Sequence, residues 1–132
     1  MNRKLFLLLL LAGVVPIGVV AENHGQWIAR VPAQDRSQSN PMATDPSAIT
    51  AGKILFEQHC ASCHGEDARG TGRRPSLHTS RVHRATDGEL QWLLRNGSLI
   101  HGMPAWSSLP EVQRWQLVRY LHSLDPDPQQ QQ

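Results

Sequence analysis

The stretch Cys60-Ala61-Ser62-Cys63-His64 places two thiols three positions apart and an imidazole directly after the second thiol. This C-x-x-C-H spacing is the attachment signature of a c-type haem, because each thiol can add across one vinyl group of the porphyrin. The adjoining imidazole can then bind the iron as an axial ligand. The motif therefore predicts one covalently bound haem c, held through two thioethers by Cys60 and Cys63, with His64 on the iron.

Other chemistries are open to two cysteines at this spacing. A structural zinc site would need a second pair of ligands, and Cys60 and Cys63 are the only cysteines in the chain. A redox-active dithiol would lie within an alternating pattern of strands and helices, and no such pattern surrounds the motif. A chance occurrence on a disulfide-bonded loop is the remaining alternative. The motif favours haem attachment over all three.

The first 21 residues have the pattern of a secretory leader. Arg3 and Lys4 precede an uncharged run of 17 residues from Leu5 to Ala21, which is at the short edge for a membrane-spanning helix. We therefore expect residues 1–21 to be a signal peptide cleaved after Ala21, or else an N-terminal membrane anchor. In both cases the rest of the chain is expected in the periplasm or otherwise outside the cytoplasm, and in the second it is attached to the inner membrane.

Without this leader the chain is formally neutral. The sequence has 13 Lys and Arg against 11 Asp and Glu, and the leader contains two of the basic residues and none of the acidic ones, which leaves 11 of each. This balance gives no support to nucleic acid binding. One stretch without any acid nevertheless contains five arginines, which either dock an acidic redox partner or keep a loop soluble. They are Arg69, Arg73, Arg74, Arg81 and Arg84.

Two segments lack the apolar periodicity of a folded element. Residues 22–45 are rich in Pro, Gln, Ser and Asn and are expected to be an extended linker. This linker is either a disordered tether or an arm whose Trp27 and Ile28 cover part of the domain. Residues 126–132 end in four glutamines and are expected to be a polar tail. The folded domain is therefore predicted to span 46–125.

Three helices are predicted inside this domain, and no strands. The first spans about 46–60, because an Asp-Pro start is followed by apolar residues at three- and four-residue intervals. Gly52 within it is expected where another helix approaches closely. The middle helix follows a capping box that begins at Thr86 and ends near Asn96, and the last helix covers about 110–124.

Loops are predicted over 65–85 and 98–109, and the second loop contains the best candidate for a second axial ligand. A haem with one imidazole ligand is open to small molecules, whereas a second strong ligand makes it an electron-transfer centre. A methionine is more often core filler, but the spacing of Met103 and its neighbours Gly102 and Pro104 favour ligation. The other candidates are Met42, His59, His78, His83 and His101.

The order of these motifs resembles that of the small class I cytochromes c of bacteria, over residues 46–125. The residues that carry the resemblance are Cys60-Ala-Ser-Cys-His64-Gly65, Gly70-Thr-Gly72, Asn96-Gly97, Gly102-Met-Pro-Ala-Trp106, Trp115 and Tyr120-Leu121. The resemblance implies an all-α cytochrome c fold, with three to four short helices wrapped around one haem. It also implies that the first and last helices cross at Gly52, Phe56 and either Trp115 or Tyr120.

The same resemblance implies the roles of the site residues. His64 and Met103 are expected as the axial ligands. The backbone carbonyl of Pro75 is expected to accept a hydrogen bond from the His64 ring and so to orient it, although the proline could instead mark a simple turn.

The implied function is extracytoplasmic electron transfer rather than enzymatic catalysis, with a donor dehydrogenase and an acceptor oxidase or reductase as partners. Three alternatives stay open. The domain could be a membrane-anchored cytochrome subunit of a dehydrogenase or oxidase complex, a haem gas sensor with a labile Met103, or a dithiol oxidoreductase without haem.

Overall fold

A computed structural model describes residues 27–130, and the predicted leader lies outside this range. The described range contains no strand, only one isolated β-bridge, so the all-α prediction is confirmed. None of its helices is both long and apolar enough to cross a bilayer. The helices are α1 (Ala33–Arg36), α2 (Pro46–His59), α3 (Ala61–His64), α4 (Ser80–Arg84), α5 (Asp87–Asn96) and α6 (Glu111–Ser123), with short 3-10 helices at Ile28–Arg30, Leu99–His101 and Pro128–Gln130.

The packing of α2 on α6 forms the centre of the domain. Gly52 lies directly against α6, where a Cβ would overlap the backbone carbonyl of Gln116 and would stand 2.7 Å from the Tyr120 Cβ. One turn further along, the rings of Phe56 and Tyr120 are in contact, with centroids 5.3 Å apart. The predicted crossing of the first and last helices is therefore confirmed.

The third long helix, α5, completes the core. Its predicted capping box is present: the Thr86 N–H donates to a Glu89 carboxylate oxygen at 2.8 Å, and the Glu89 N–H donates to the Thr86 hydroxyl at 3.2 Å. The helix ends at Gly97, as the sequence predicts. The largest fully buried side chains come from α2, α5 and α6, and they are Phe56, Leu90, Leu117 and Val118.

The described part of the predicted linker is folded against the domain, which corrects the expectation of an extended linker over 22–45. Residues 27–45, here named the strap, cross the start of α5 and reach α6. Trp27 packs on the core, as the alternative of a covering arm predicted, and Val31 is buried. Asn40 is also buried, and its side-chain amide donates to the Trp115 carbonyl at 2.9 Å. The folded unit therefore begins before residue 46.

Ion pairs hold the strap on α5. The Asp35 carboxylate accepts from the Arg95 guanidinium at 2.8 Å, and Arg36 Nε lies 3.2 Å from a Glu89 carboxylate oxygen. The acidic residue of each pair is buried: Asp35 is 7% exposed and Glu89 is 6% exposed. Polar contacts therefore hold much of the strap in place. Because such contacts produce no apolar periodicity, the sequence pattern does not predict them.

Two further elements differ from the prediction. The interval 65–85, expected to be loop throughout, contains α4, whose first turn is capped by the Thr79 hydroxyl accepting from the Val82 N–H at 3.3 Å. The polar tail is tied down at Asp127, whose N–H donates to the His78 carbonyl at 2.7 Å and whose carboxylate accepts from Arg69 at 2.8 Å. Neither contact is visible in local sequence patterns.

We expect Gly52→Ala to lower the free energy of unfolding by about 1–3 kcal/mol, because the added methyl group must displace the α6 backbone. This loss outweighs the gain of roughly 1 kcal/mol in helix propensity. Denaturant unfolding of the protein measures the change. Lys53→Ala is the control, since Lys53 is exposed and its ammonium forms an exposed ion pair with Glu57 at 3.8 Å. A Gly52→Ala variant as stable as the wild type would show that the helices do not meet at this point.

We expect Asn40→Ala to lower the free energy of unfolding by about 1–3 kcal/mol, because it removes a buried hydrogen bond to α6 and the side-chain acceptor of the Met42 N–H. Ser39→Ala is the matched control, since Ser39 is exposed and its hydroxyl has no hydrogen-bond partner in the described range. Equal stability of the two variants would mean that the strap is not part of the cooperative unit.

Candidate haem site

The C-x-x-C-H motif forms a single turn that continues directly from α2. Cys60 closes that helix, with its N–H donating to the Phe56 carbonyl at 2.8 Å, and the His64 N–H donates to the Cys60 carbonyl at 2.9 Å. Cys60 and Cys63 are free thiols, each half-buried. The turn therefore presents two thiols and one imidazole within five consecutive residues, Cys60 to His64.

The electrostatics of this turn do not suit a redox dithiol. Burial, with a smaller contribution from Cys63, raises the pKa of the Cys60 thiol to about 11. An attacking thiol in disulfide exchange needs a lowered pKa, so that thiolate forms near neutral pH. Cys60 instead stays protonated, which speaks against the dithiol oxidoreductase among the alternatives.

The His64 ring is oriented by Pro75. Its Nδ1 lies 3.0 Å from the Pro75 carbonyl oxygen, and because a carbonyl can only accept, Nδ1–H is the donor. The proton is thereby held on Nδ1 and Nε2 keeps its lone pair for a metal. A backbone carbonyl bound to the second ring nitrogen is the usual support of a metal-binding histidine.

The loop between His64 and Pro75 is held by its own hydrogen bonds. The Gly70 N–H donates to the His64 carbonyl at 2.7 Å, and the Thr71 hydroxyl donates to the Cys63 carbonyl at the same distance. The Thr71 carbonyl in turn accepts from the Arg74 N–H at 2.9 Å. These bonds connect the haem motif to the proline that orients its histidine, so the position of the Pro75 carbonyl follows from that of the motif.

Met103 lies in a closed loop after α5. It forms the isolated β-bridge with Ser98, with N–H to carbonyl distances of 2.9 and 3.0 Å in the two directions. The Trp106 N–H donates to the Leu94 carbonyl at 2.8 Å and brings the end of the loop back onto α5. Met103 is half-buried and packs against the core. Its thioether is thus held by fixed backbone on both sides.

Three of the four histidines that were alternative ligands are engaged elsewhere. The His59 ring packs on Trp106, with centroids 5.2 Å apart. Both ring nitrogens of His78 lie 2.8 Å from backbone carbonyls, and His101 Nδ1 lies 2.8 Å from the Ser98 hydroxyl. His83 is exposed on α4. Met42, the other described methionine, belongs to the strap and packs against the core.

Arg74 connects the loop after His64 to the loop that contains Met103. In the sequence analysis this residue was counted only as part of a charged stretch. The Arg74 guanidinium donates to the carbonyls of His101 and Gly102, with Nη1 at 3.4 and 3.3 Å. Arg74 directly precedes Pro75, and Gly102 directly precedes Met103. No sequence signal links positions 27 and 28 residues apart, so only the structure reveals this contact.

The donors present fit a c-type haem. The site offers two free thiols on one turn, an imidazole whose Nε2 is free, and a thioether in the loop that Arg74 contacts. Apolar surface is also at hand in the Met103 loop, where Leu99 is 77% exposed and Ile100 is 80% exposed. These are the groups that thioether attachment, axial ligation and porphyrin contact require.

Comparison with known proteins gives a family. The family model described as cytochrome c oxidase, cbb3-type, subunit III matches residues 47–121, which is more than half of the chain. The cbb3-type cytochrome c oxidase subunit CcoP of Azospirillum brasilense is 31% identical over 93 residues, which cover 64% of this chain and 31% of the relative. Subunit FixPc of Rhizobium leguminosarum bv. viciae is 34% identical over 85 residues, or 61% and 29% of the two chains. The chain thus spans about a third of the length of these relatives.

A solved structure has the same fold. The crystal structure of cytochrome cL from Methylophaga aminisulfidivorans aligns with a TM-score of 0.57 and 26% identity, over 66% of this chain and 59% of the other. The helical cytochrome c fold is therefore shown, together with the resemblance to small bacterial cytochromes c. The chain belongs to the cytochrome c family described as cytochrome c oxidase, cbb3-type, subunit III, a family that implies covalently bound haem c.

Proposed function

We propose that this chain is a monohaem cytochrome c that transfers single electrons outside the cytoplasm, with His64 and Met103 as the axial ligands. The observation that carries the proposal is the hydrogen bond from His64 Nδ1 to the Pro75 carbonyl, since it leaves Nε2 as the metal-binding nitrogen. The free state of both cysteines on the same turn supports attachment through Cys60 and Cys63.

Each residue has a distinct task in this proposal. Cys60 and Cys63 hold the porphyrin through thioethers, Pro75 orients the His64 ring, and Met103 supplies a thioether sulfur from the second loop. A haem iron held in this way supplies a one-electron couple between its ferrous and ferric states, and a methionine ligand raises the potential relative to a second histidine. Because both axial positions are filled by the chain, no substrate needs to bind the iron.

Whether the domain acts as a free carrier or as a fixed subunit depends on its partners. The named relatives are subunits of a cbb3-type oxidase, which favours a domain that belongs to a membrane complex. The structural likeness is to cytochrome cL, a protein named without any larger complex, and this supports a separate carrier as the other candidate. Purification of the native protein, alone or with oxidase subunits, decides between the two, and sequencing of its N-terminus shows whether residues 1–21 remain.

We expect haem to stay with the polypeptide after acid and organic extraction, because the thioethers to Cys60 and Cys63 are covalent bonds.

We expect Met103→Ala to abolish a weak band near the red end of the oxidised spectrum. The same variant should bind carbon monoxide readily in the ferrous state, because the sixth position is then open. Met42→Ala is the matched control, since that methionine also packs on the core but lies in the strap. Extraction of the haem would contradict covalent attachment. An unchanged band in Met103→Ala would exclude Met103 as the ligand. Carbon monoxide binding to the wild type as fast as to Met103→Ala would favour a sensor.

The stretch of five arginines supports a docking surface for an acidic redox partner, but Arg69 does not contribute to it. Arg69 is paired with Asp127, which neutralises its charge. The other four, Arg73, Arg74, Arg81 and Arg84, are exposed, and Arg73 lies two residues from the proline that contacts His64. The cationic surface therefore adjoins one of the loops that hold the proposed ligands.

We expect Arg73→Glu to slow electron transfer with an anionic complex such as ferricyanide and to accelerate it with a cationic hexaammine complex. Both effects should fade with salt, as the Debye length falls from ~10 Å at 0.1 M to ~3 Å at 1 M. Arg30→Glu makes the same change of charge on the strap and serves as the control in stopped-flow measurements. Equal rates for the two variants would leave the arginines as solubility residues.

A further inference from the structure

We infer that Arg74 is a positioning residue that clasps the two ligand loops together and keeps Met103 on the iron. This inference rests on the proposed ligation by His64 and Met103. It goes beyond that ligation because it assigns to a surface arginine the control of how often the methionine ligand is released.

The main chain of Arg74 is fixed on the His64 side. Its N–H donates to the Thr71 carbonyl at 2.9 Å, within the loop whose Thr71 hydroxyl bonds the carbonyl of Cys63. The following residue, Pro75, accepts the His64 Nδ1–H. The guanidinium therefore projects from a backbone that is already tied to the haem motif.

The side chain of Arg74 ends on the Met103 side. Its Nη1 donates to the carbonyls of His101 and Gly102 at 3.4 and 3.3 Å. Gly102 has φ +75°, and a Cβ on it would stand 2.8 Å from Nη1 and 3.6 Å from Cζ and Nη2. The absence of a side chain at Gly102 thus lets Nη1 approach the backbone that leads into Met103.

This contact is the link between the two loops on which release of the methionine depends. Within its own loop Met103 is held by the bridge to Ser98, and that bridge joins two residues of the same loop, so it does not connect the loop to the His64 side. An arginine suits the task because the two N–H groups of Nη1 can each donate to one of two adjacent carbonyls, and the planar guanidinium holds both donors in a fixed direction. Since Arg74 is exposed, the two bonds are of moderate strength, so the clasp can open without unfolding of the domain.

The test measures carbon monoxide binding to the ferrous haem protein, because the uncharged gas can bind only after Met103 leaves. We expect Arg74→Gln to raise the binding rate by about three- to tenfold, in line with the loss of two exposed charge-assisted bonds. The red absorption band of the oxidised form should also fade at a lower temperature, while the far-ultraviolet circular dichroism melt changes little. Arg74→Lys should recover part of the effect.

Arg73→Gln is the matched control, since it removes the same charge from the adjacent position. In the wild type the Arg73 guanidinium has no hydrogen-bond partner among residues 27–130. The charge of a docking surface does not affect the binding of an uncharged gas. Equal rates for Arg74→Gln and Arg73→Gln, with a band that still depends on Met103, would overturn the clasp alone. A band unchanged in Met103→Ala would overturn the proposed ligation and the clasp together.

Discussion

The contact of α2 with α6 at Gly52 is the constraint on which the rest of this domain depends. Because glycine has no Cβ, the two helices approach until the Gly52 backbone lies on the Gln116 carbonyl, and Phe56 then packs on Tyr120. The haem motif begins at the residue that closes α2, so the direction of α2 sets where both thiols and His64 lie. The hydrogen-bonded loop that follows carries this placement on to Pro75.

Sequence reasoning located the features that depend on local sequence patterns. An Asp-Pro start, a capping box and a glycine end define α2 and α5, and C-x-x-C-H specifies its own chemistry. The strap was predicted only as one of two alternatives, a covering arm with Trp27 and Ile28, because its attachment depends on single polar pairs between distant positions. Examples are Arg36 with Glu89 and Asn40 with Trp115. Only five residues long, α4 was missed for lack of apolar periodicity.

The candidate site shows the same division between local and distant contacts. The cysteine and histidine positions could be predicted from the motif, and the contact of Pro75 with His64 from the resemblance to bacterial cytochromes c. Ligation by Met103, which its spacing and neighbours favour, stays a prediction. What joins their loops could not be predicted, because the contact between Arg74 and the carbonyls before Met103 depends on how two irregular segments meet. A surface arginine in a basic stretch has the same sequence appearance whether it bridges two loops or is only solvated.

The central claim is that the Met103 sulfur and the His64 imidazole occupy the two axial positions of one attached haem. The most direct measurement is a proton NMR spectrum of the ferrous protein labelled with ¹³C in its methionine methyl groups. If Met103 lies over the iron, the porphyrin ring current shifts its methyl resonance far upfield of zero, while the resonance of Met42 keeps an ordinary position. A spectrum in which every methionine methyl resonance has an ordinary shift would contradict the account.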